Sequence, residues 1–529
     1  MESAKIARKS RQTRRNFDEK MLVTREQIRL AEERLFSRGI DAEGLMEQAG
    51  LGCARAIRQF FPHRPSAATL FVGKGNNGGD ALVVGRHLRN AGWRVEARLA
   101  GNPEEMTELA RKKFAEFEAA DASHSRCPRI DPISNRVLVD GLLGIGASGP
   151  PRGRIGELAA EMNATRERDL ATTVAIDIPS GVDGDTGEIH EGAVVADVTL
   201  TITAMKLGLL ADRVTDHVGR LAVIPVPEIE AELRGETAAS DDFAIVPETL
   251  APLVRKLRRP FDFHKGQAGR VAIVAGSRGF TGAAKLCGLG ALRGGAGLVT
   301  LFAAEDIYEI VAASAPPEIM VRSTADFSDV ADFNADVIAL GPGIGSPPAH
   351  EETLLELIQN DPRPMIVDAD GLTLLGRRLN PVGSAFHPAG PRLLTPHPGE
   401  FARLWPDRPA NAERRDLARG FVETADSQVT LLLKGARTVL ARKGEPLAFN
   451  TTGHPGMATG GIGDVLTGLC AALVARGLTP FEAGSLGSWL IGRAAERSLD
   501  RGASVESLGA RMVATRLGLA FDSLRGECY

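Results

Sequence analysis

Residues 453–468 read Gly-His-Pro-Gly-Met-Ala-Thr-Gly-Gly-Ile-Gly-Asp-Val-Leu-Thr-Gly. The glycines at 460, 461 and 463 allow successive backbone N–H groups to point into one concavity at the start of a helix. Such a turn, together with the helix dipole, attracts a phosphate or a developing oxyanion. Asp464 at its rim could take a proton from a substrate hydroxyl. The alternative is a plain glycine-rich turn in which Asp464 caps the helix.

Short apolar runs of strand length alternate with helical stretches on the N-terminal side of this turn, from about Phe243 onwards. They are Val271–Ala275, Leu298–Phe302, Val337–Leu340, Met365–Val367, Arg392–Leu394, Val429–Lys434 and Val439–Ala441. Strands that alternate with helices build mostly parallel sheets with helices on both faces. The pattern therefore predicts an α/β domain.

Polar or glycine-rich segments follow several of these runs. Lys434 ends one run with a cation, which suits nucleotide phosphates or ribose, although a solvated lysine at a strand end explains it equally well. The glycine loop 341–345 lets the backbone approach a ligand, and Asp368 and Asp370 close another run. His397 lies in a proline-stiffened turn, where a lone histidine is more often structural than functional despite its use as a proton carrier.

Together these segments resemble the ribokinase-like fold, in which Gly-x-Gly-Asp forms the anion hole and catalytic base of small-molecule kinases. Within that fold, residues 243–520 are most similar to the ADP- or ATP-dependent NAD(P)H-hydrate dehydratases. The resemblance is carried by His264-Lys-Gly, Ala275-Gly-Ser, Thr281-Gly-Ala, Gly341-Pro-Gly, Asp368-Ala-Asp, Leu394-Thr-Pro-His-Pro-Gly-Glu, Leu433-Lys-Gly and Pro455-Gly-Met-Ala-Thr. Ile462 departs from it, because many members have serine or threonine there.

The resemblance implies a three-layer α/β/α domain that uses ADP to remove the added water from a hydrated nicotinamide dinucleotide. Phosphorylation would turn the 6-hydroxyl into a good leaving group, with Asp464 as the catalytic base and Mg²⁺ at the nucleotide phosphates. The residues implied in nucleotide binding are Lys434, Gly435, Ala436, Arg437, Thr438 and Gly463. The residues implied in binding the hydrated dinucleotide are Ala283, Gly343, His397 and Asp464.

The first half of the chain shows the same alternation of helices and strands with different motifs. Thr24-Arg-Glu-Gln is a capping box that predicts a helix start. The helices that should follow run through Ile28, Ala31 and Leu35, and through Leu45, Ala49, Cys53 and Ile57. The strand-length runs are Ala68–Val72, Val95–Leu99, Val137–Val139, Thr173–Ile176, Val198–Ile202 and Leu221–Ile224. They too predict a mostly parallel sheet.

Gly73-Lys-Gly-Asn-Asn-Gly-Gly-Asp80 follows the first of these runs and formally contains the dinucleotide pattern G-x-G-x-x-G. Asp80 argues against that interpretation, because a carboxylate near the helix start would repel a pyrophosphate. The side-chain amides of Asn76 and Asn77 and the exposed backbone of a tight turn suit a hard monovalent cation or a polar ligand instead.

Two later runs end in a carboxylate, Asp140 and Asp177, and Ser180 follows the second. Ligands collect at the carboxyl ends of parallel strands, so we expect Asn77, Asp140, Asp177 and Ser180 to converge there. Capping of the next helix is the alternative for either aspartate alone.

These motifs, in this order, are similar to the NAD(P)H-hydrate epimerase family over residues 24–227, and the match continues through Thr201-Ile-Thr-Ala-Met-Lys-Leu-Gly208. The resemblance implies a Rossmann-like three-layer α/β/α domain with Asp177 as the acid–base residue. It implies a potassium ion held by Asn77, Asp140 and Ser180. The residues implied in substrate binding are Asn76, Asn77, Gly78, Gly79, Asp80, Gly144, Ile145, Gly146, Ala147, Ser148, Gly149, Pro150 and Asp177. Ala81 and Gly141 depart from the family pattern, which usually has glycine and alanine there.

Composition and charge limit the other classes of function. The 529 residues exceed what one hydrophobic core usually serves, and the net charge of −4 directs the protein neither to nucleic acid nor to an anionic membrane. The five cysteines form no C-x-x-C pair, which favours a reducing cytoplasm over a zinc ribbon or a disulfide framework. No apolar run is long enough for a transmembrane helix.

The sequence therefore predicts a bifunctional enzyme of two α/β domains. We expect a basic, disordered or helical tail at 1–22, an epimerase domain at 23–227, a linker at 228–242 and a dehydratase domain at 243–529. Its ligands would be hydrated NADH, hydrated NADPH and ADP, and we expect a homo-oligomer. Two alternatives stay open: a ribokinase-like small-molecule kinase with an accessory N-terminal ligand-binding domain, and a non-enzymatic N-terminal scaffold.

Overall fold

The computed structural model describes residues 21–61, 67–120, 136–233, 240–345, 348–379 and 381–525. The chain divides into two compact units, and the division falls between Asp241 and Asp242. The predicted basic tail, 1–22, lies outside the described residues except for a two-residue strand, β1 (Met21–Leu22).

The N-terminal unit is built on a parallel sheet with the strand order β3-β2-β4-β5-β6-β7. Its strands are β2 (Ala67–Val72), β3 (Arg94–Leu99), β4 (Arg136–Gly141), β5 (Thr172–Ile176), β6 (Val198–Ile202) and β7 (Arg220–Ile224). Its helices are α1 (Arg25–Ser37), α2 (Ala42–Phe60), α3 (Asn76–Asn90), α4 (Glu108–Ala119), α5 (Gly153–Asp169), α6 (Thr215–Val218) and α7 (Pro227–Leu233).

Helices cover both faces of this sheet, because neighbouring strand residues point to opposite sides. Leu70 and Val72 of β2 pack with α2, α3 and α4 in one core cluster. Phe71, between them, packs with Leu158 and Met162 of α5 in another cluster. The result is the expected three-layer α/β/α arrangement.

In the C-terminal unit the strands follow the order β8-β17-β16-β15-β14-β13-β12-β9-β10-β11. They are β8 (Ser240–Ile245), β9 (Arg270–Val274), β10 (Leu298–Ala304), β11 (Ile319–Thr324), β12 (Val337–Leu340), β13 (Met365–Val367), β14 (Arg392–Leu394), β15 (Val429–Leu433), β16 (Val439–Arg442) and β17 (Ala448–Asn450). Strand β16 runs antiparallel to both of its neighbours, and the other pairs are parallel.

The helices of this unit lie between and after the strands in the chain. They are α8 (Pro247–Lys256), α9 (Thr281–Arg293), α10 (Tyr308–Ser314), α11 (Pro348–Asn360), α12 (Ala369–Arg378), α13 (Val382–Ala385), α14 (Pro398–Leu404), α15 (Arg414–Thr424), α16 (Ile462–Ala475), α17 (Pro480–Asp500), α18 (Ala510–Thr515) and α19 (Leu517–Arg525). Helix α16 is buried from Val465 to Val474 and consists there mostly of apolar residues, as expected for a helix at the centre of a layer. Val271 and Ile273 of β9 share a core cluster with α9, α16 and α17. The predicted fold class, two α/β domains, is confirmed.

The structure differs from the sequence-based expectation in several elements. Strand β11 is present in the structure but was not predicted from the sequence. This edge strand exposes Met320, Arg322 and Ser323 and so lacks a continuous apolar run. Strand β17, of three residues, is likewise absent from the predicted strands.

The segment expected to be a linker, residues 228–242, is ordered at both ends. Helix α7 occupies Pro227–Leu233 and buries Ile229 and Leu233, four positions apart on one helix face, while β8 begins at Ser240. Residues 234–239 lie outside the described residues. Within the described ranges, no helix combines the length and the apolar character needed to cross a membrane.

Candidate functional site

Asp140 and Ser180 meet at the carboxyl ends of β4 and β5 in the N-terminal unit. The Ser180 hydroxyl and backbone N–H each donate to the Asp140 carboxylate at 2.7 Å. The Leu142 N–H donates to the same carboxylate at 3.1 Å. Burial raises the pKa of Asp140 to about 6 although these hydrogen bonds favour its charged form. Helix α5 begins only at Gly153, so Asp140 does not cap it.

Asn77 lies beside this pair. Its Nδ2 donates to the Leu143 carbonyl at 2.8 Å. A Cβ at Gly144 would lie 3.1 Å from the Asn77 Cβ, so the glycine allows the chain after β4 to approach the amide closely. Helix α3 begins at Asn76, so Asn76–Asp80 form its first turn rather than a loop before it. The structure thus brings together Asn77, Asp140 and Ser180.

Asp177 has a different set of partners. The Lys206 ammonium forms an ion pair with its carboxylate, and the Ile202 N–H donates to it at 3.1 Å. Lys206 is only 1% exposed and also donates to the Thr201 hydroxyl at 3.1 Å and the Ile202 carbonyl at 2.8 Å. The Asp177 φ of 68° is a left-handed conformation that a non-glycine residue adopts only at a cost. Such strain is typical of functional positions.

The charge of Asp177 affects the pKa of two further carboxyl groups, those of Glu32 and Asp80. Burial, reinforced by the charge of Asp177, raises the pKa of Glu32 on α1 to about 7. Burial also raises the pKa of Asp80 well above its usual range, with smaller contributions from Asp177 and Glu32. The charges of Glu32, Asp80, Asp177 and Lys206 therefore influence one another.

The predicted substrate loop 144–150 is held by Arg25 at the start of α1. The Arg25 guanidinium donates to the Ala147 carbonyl at 2.6 Å and pairs with Asp183 at 2.9 Å and with Asp185 at 3.1 Å. A small cavity of about 10 Å³ lies beside the loop, lined among others by Gly144, Ala147, Ser148, Gly149 and Ser180. A volume of this size is close to that of one water molecule or one small ion.

In the C-terminal unit, the glycine turn leads directly into α16. Gly461 is the N-cap residue, with a φ of 91°, and a Cβ there would lie 2.5 Å from Leu286 Cδ1. Only glycine satisfies both conditions without strain. Asp464 is the third residue of the helix, and the N-cap has no side-chain hydrogen bond, so the helix-capping alternative for Asp464 is wrong.

A buried polar network adjoins this turn. Lys434, at the end of β15, donates to Asp368 at 2.8 Å and lies 3.7 Å from Glu400. The Thr467 hydroxyl of α16 donates to the other Asp368 oxygen at 2.7 Å. A Cβ at Gly463 would lie 3.4 Å from the Lys434 Nζ, so the ammonium lies against the helix start. Lys434 is therefore not a solvated lysine.

The charges of this network act on one another. Burial raises the pKa of Asp464 to about 6, with further help from Asp368 and opposition from Lys434. Burial also disfavours the Lys434 ammonium, but the charges of Asp368 and Glu400 outweigh that effect and its pKa is raised. A carboxyl group with a pKa near the working pH is suited to proton transfer.

Ala283 and Gly343 face each other, since a Cβ at Gly343 would lie 2.8 Å from the Ala283 Cβ. His397 caps α14, because its Nδ1 accepts from the Gly399 N–H at 3.0 Å. Its ring is half exposed, and its Nε2 lies 3.5 Å from Glu400. His397 therefore has the structural role of a helix cap, and its ring is at the same time half exposed.

A second cation, the Arg414 guanidinium, lies against the segment Lys434–Thr438. A Cβ at Gly435 would overlap the guanidinium of Arg414. Burial lowers the pKa of Arg437 to about 10, with a smaller effect of Arg414. Gly435 and Ala436 are exposed, whereas Arg437 and Thr438 are buried.

Several residues of these clusters could not be recognised from local sequence patterns. Glu32 and Arg25 lie on a helix that looks merely amphipathic, and Lys206 was noted only as part of a motif. Glu400 and Thr467 were likewise quoted only within motifs. Lys206 pairs with Asp177, Glu400 lies near Lys434, and Thr467 donates to Asp368. Arg25 binds the distant Ala147 carbonyl, and Glu32 is affected by the charge of Asp177. These relations join residues far apart in the chain, which no local pattern reveals.

Comparison with known proteins gives the family. Residues 271–514 match the family described as NAD(P)H-hydrate dehydratase, and residues 42–208 match the YjeF-related protein N-terminus. The chain is 36% identical over 479 residues to a bifunctional NAD(P)H-hydrate repair enzyme of Moorella thermoacetica, covering 86% of this chain and 88% of that protein. It is 34% identical over 462 residues to the Escherichia coli enzyme of the same name, covering 87% and 85%.

Among solved structures, an ADP/ATP-dependent NAD(P)H-hydrate dehydratase from Bacillus subtilis is 28% identical, with a TM-score of 0.47. That similarity covers 53% of this chain and 97% of the other. Both family matches and the long similarity to the curated enzymes lead to one conclusion: the chain belongs to the family of bifunctional NAD(P)H-hydrate repair enzymes.

Proposed function

We propose that the chain repairs hydrated NADH and NADPH through two reactions, one in each unit. The N-terminal unit interconverts the R and S epimers at C6. The C-terminal unit dehydrates the S epimer with ADP, giving AMP, phosphate and the reduced nicotinamide. The observation that carries the proposal is Asp464 beside the glycine turn, within reach of the charges of Lys434 and Asp368. A base, an anion-binding turn and a cation are the parts that phosphoryl transfer requires.

In the dehydratase reaction, Asp464 accepts the proton of the 6-hydroxyl, and the terminal phosphoryl group of ADP passes to that oxygen while AMP leaves. The ring nitrogen then expels phosphate from C6, and loss of a proton from C5 forms the double bond. The amides at Gly461–Gly463 and the Lys434 ammonium would hold the phosphoryl group. Mg²⁺ would accompany the nucleotide phosphates, which is its usual mode of binding.

The remaining residues of the C-terminal unit bind the two ligands. Lys434–Thr438 and Gly463 would contact the nucleotide, supported by the cations Arg414 and Arg437 around the exposed Gly435. Ala283, Gly343 and the half-exposed ring of His397 would contact the hydrated dinucleotide.

In the epimerase reaction, Asp177 is the acid–base residue and Lys206 positions its carboxylate. Inversion at C6 requires a bond to break and to re-form on the other face of the ring, and a positioned proton carrier contributes about 10²- to 10⁴-fold. Glu32 adds a second carboxyl group, which changes its protonation near neutral pH. The first turn of α3, Asn76–Asp80, and the loop 144–150 would contact the substrate.

Asn77, Asp140 and Ser180 fit a potassium ion. Amide, carboxylate and hydroxyl oxygens are hard ligands, and the Asp140–Ser180 pair lies next to a cavity of ionic size. The ion would supply a fixed positive charge that orders the substrate loop.

A cytoplasmic location suits Cys53, Cys287 and Cys470, which are buried free thiols. Assembly into a homo-oligomer stays a prediction.

The test supplies the full-length protein with mixed epimers of hydrated NADH and with ADP. We expect the near-ultraviolet absorbance of reduced nicotinamide to return, and AMP and phosphate to form in equal amounts. A small-molecule kinase would instead release a stable phosphorylated alcohol without that absorbance, and this result would contradict the proposal. Asp464→Asn serves as the control for the chemical step.

A further inference from the structure

The C-terminal unit contains a cleft that lies outside the residues assigned to phosphoryl transfer and ring binding. It has a volume of about 430 Å³, which is within the range of small-molecule sites. Its lining includes Ser277 after β9, Asp306 after β10, Phe327 after β11, and Gly345 after β12, together with Arg278 and His350. It therefore opens at the carboxyl ends of the strands, where α/β sheets bind ligands.

The cleft adjoins residues proposed to bind the hydrated ring, because Gly343 lies between two of its lining residues, Ser277 and Gly345. The Ser277 hydroxyl donates to the Gly343 carbonyl at 2.8 Å, and Gly343 faces Ala283. On the other side, the Gly345 N–H donates to Asp370 at 2.9 Å, and the charge of Asp370 reaches Asp464. The cleft therefore lies on the side of Gly343 and Gly345 that faces away from the glycine turn, next to the residues proposed to hold the hydrated ring.

The strand order gives the direction of the hydrated dinucleotide. Along the sheet, Lys434 follows β15, Asp368 follows β13, and Asp306 follows β10. Neighbouring strands are about 4.8 Å apart, so three spacings of about 14 Å in all separate β13 from β10. An extended dinucleotide is long enough for this span. The ADP site lies in the opposite direction, about 10 Å from β13 at β15.

The walls of the cleft suit an adenylate group. Asp306 and Arg278 lie 3.5 Å apart, with side chains 50% and 83% exposed, so both are open to a ligand. Phe327 and His350 form an edge-to-face aromatic pair with ring centroids 5.3 Å apart. In Rossmann folds an acidic residue accepts from the ribose 2′-hydroxyl of NAD, and an arginine accommodates the 2′-phosphate of NADP. Asp306 and Arg278 offer the same two groups side by side.

On this basis we propose that the cleft lined by Arg278, Asp306 and His350 binds the adenylate half of the hydrated dinucleotide. Asp306 accepts from the 2′-hydroxyl of hydrated NADH. Arg278 binds the 2′-phosphate of hydrated NADPH. To do this, the Arg278 side chain moves away from Asp306 and towards the phosphate. The neighbouring acid and base thus allow one site to accept both substrates. This inference rests on the proposed dehydratase function.

The experiment measures KM of the full-length protein for the S epimers of hydrated NADH and hydrated NADPH at saturating ADP. We expect Asp306→Asn to raise KM for hydrated NADH about tenfold, and KM for hydrated NADPH by less than about threefold. Arg278→Ala should do the reverse. Hydrated reduced nicotinamide mononucleotide, which lacks the adenylate half, should show the same KM in both variants and in the parent protein. Asp332→Asn, at an exposed aspartate of the same unit, is the matched control.

The outcomes are distinguishable. If the parent protein restores reduced nicotinamide but both variants keep the parent KM for both dinucleotides, the subsite is wrong and the proposed function stands. A rise in KM for ADP would also overturn it, because ADP would then occupy the cleft. If the parent protein restores no reduced nicotinamide from any hydrate, the proposed function itself fails, and the inference fails with it.

Discussion

Among single residues of the N-terminal unit, Lys206 has an environment in which a substitution should be costly. It is fully buried and donates to Asp177, Thr201 and the Ile202 carbonyl. Its ion pair with Asp177 is buried on both sides. Removal of one partner leaves the other charge without compensation, which costs more than the pair itself contributes.

Lys206→Met should therefore destabilise the N-terminal unit by about 3–5 kcal/mol and reduce epimerisation with it. Urea unfolding and the rate of epimer interconversion, followed by chromatography, measure the two effects. Lys112→Met is the control, because the Lys112 ion pair with Glu43 lies at the surface and should contribute little to stability. Equal unfolding midpoints for the two variants would show that the buried ion pair contributes no more to stability than the surface ion pair.

Asp464 makes the C-terminal reaction depend on pH. Its pKa is raised to about 6 by burial and by Asp368 and Asp370, against Lys434. Only the ionised form accepts a proton, so dehydration should fall about tenfold for each pH unit below 6. The pH profile of kcat/KM measures this, and a profile that is flat between pH 5 and 7, or that rises towards acid pH, would be incompatible with Asp464 as the base.

The stability of the C-terminal unit should depend on pH in the sense opposite to that of the dehydration rate. Because the folded-state pKa of Asp464 is raised, its contribution to stability is fully present below the ordinary aspartate pKa and is lost as the pH rises through about 6. Asp464→Asn should therefore raise the unfolding midpoint at pH 8 while it lowers dehydration about 10²- to 10⁴-fold. A variant that is both inactive and less stable at pH 8 would assign Asp464 a structural role.

At the level of elements, the start of α16 combines two separate demands on glycine. Gly461 has a left-handed φ of 91° and no room for a Cβ beside Leu286. Gly477, just beyond the end of the same helix, has a φ of 96° but nothing within 4 Å of a Cβ. The two positions therefore separate backbone strain from packing.

Gly477→Ala should cost about 1–2 kcal/mol through φ alone. Gly461→Ala should cost more, by the energy of moving Leu286, and it should also weaken ADP binding, because the N–H groups of the turn would shift. Chemical denaturation and calorimetric titration with ADP are the measurements. If the two variants lose the same stability and both bind ADP normally, the turn is not shaped by its packing and does not hold the phosphate.

For the whole molecule, two separate sites on one chain predict a partition of activities. With mixed epimers and ADP, the parent protein should convert all of the hydrate. Asp177→Asn should convert only the S fraction and then stop. Asp464→Asn should convert none but should still equilibrate the epimers. A mixture of the two variants should restore complete conversion, because the free epimers diffuse between molecules. A mixture that stops at the S fraction would refute this partition.

Much of the architecture could be predicted from the sequence. Strands β2, β5, β6 and β12–β15 lie within one residue of the predicted runs, because buried parallel strands give continuous apolar segments. Strand β11 was not predicted, since an edge strand with polar residues on one face has no such run. The capping box of α1 is present as expected, because it depends only on residues three apart.

The sequence by itself determined the two α/β domains, the glycine turn before Asp464 and the carboxylates at strand ends, because these features depend on local spacing and on strand order. Only the tertiary structure decided which side chains face one another. The ion pair of Asp177 with Lys206, the influence of Glu32 from α1, and the Asp368 network of Lys434 and Thr467 join separate elements. Their charge states depend on burial, and burial is a property of the packed molecule rather than of any segment of the chain.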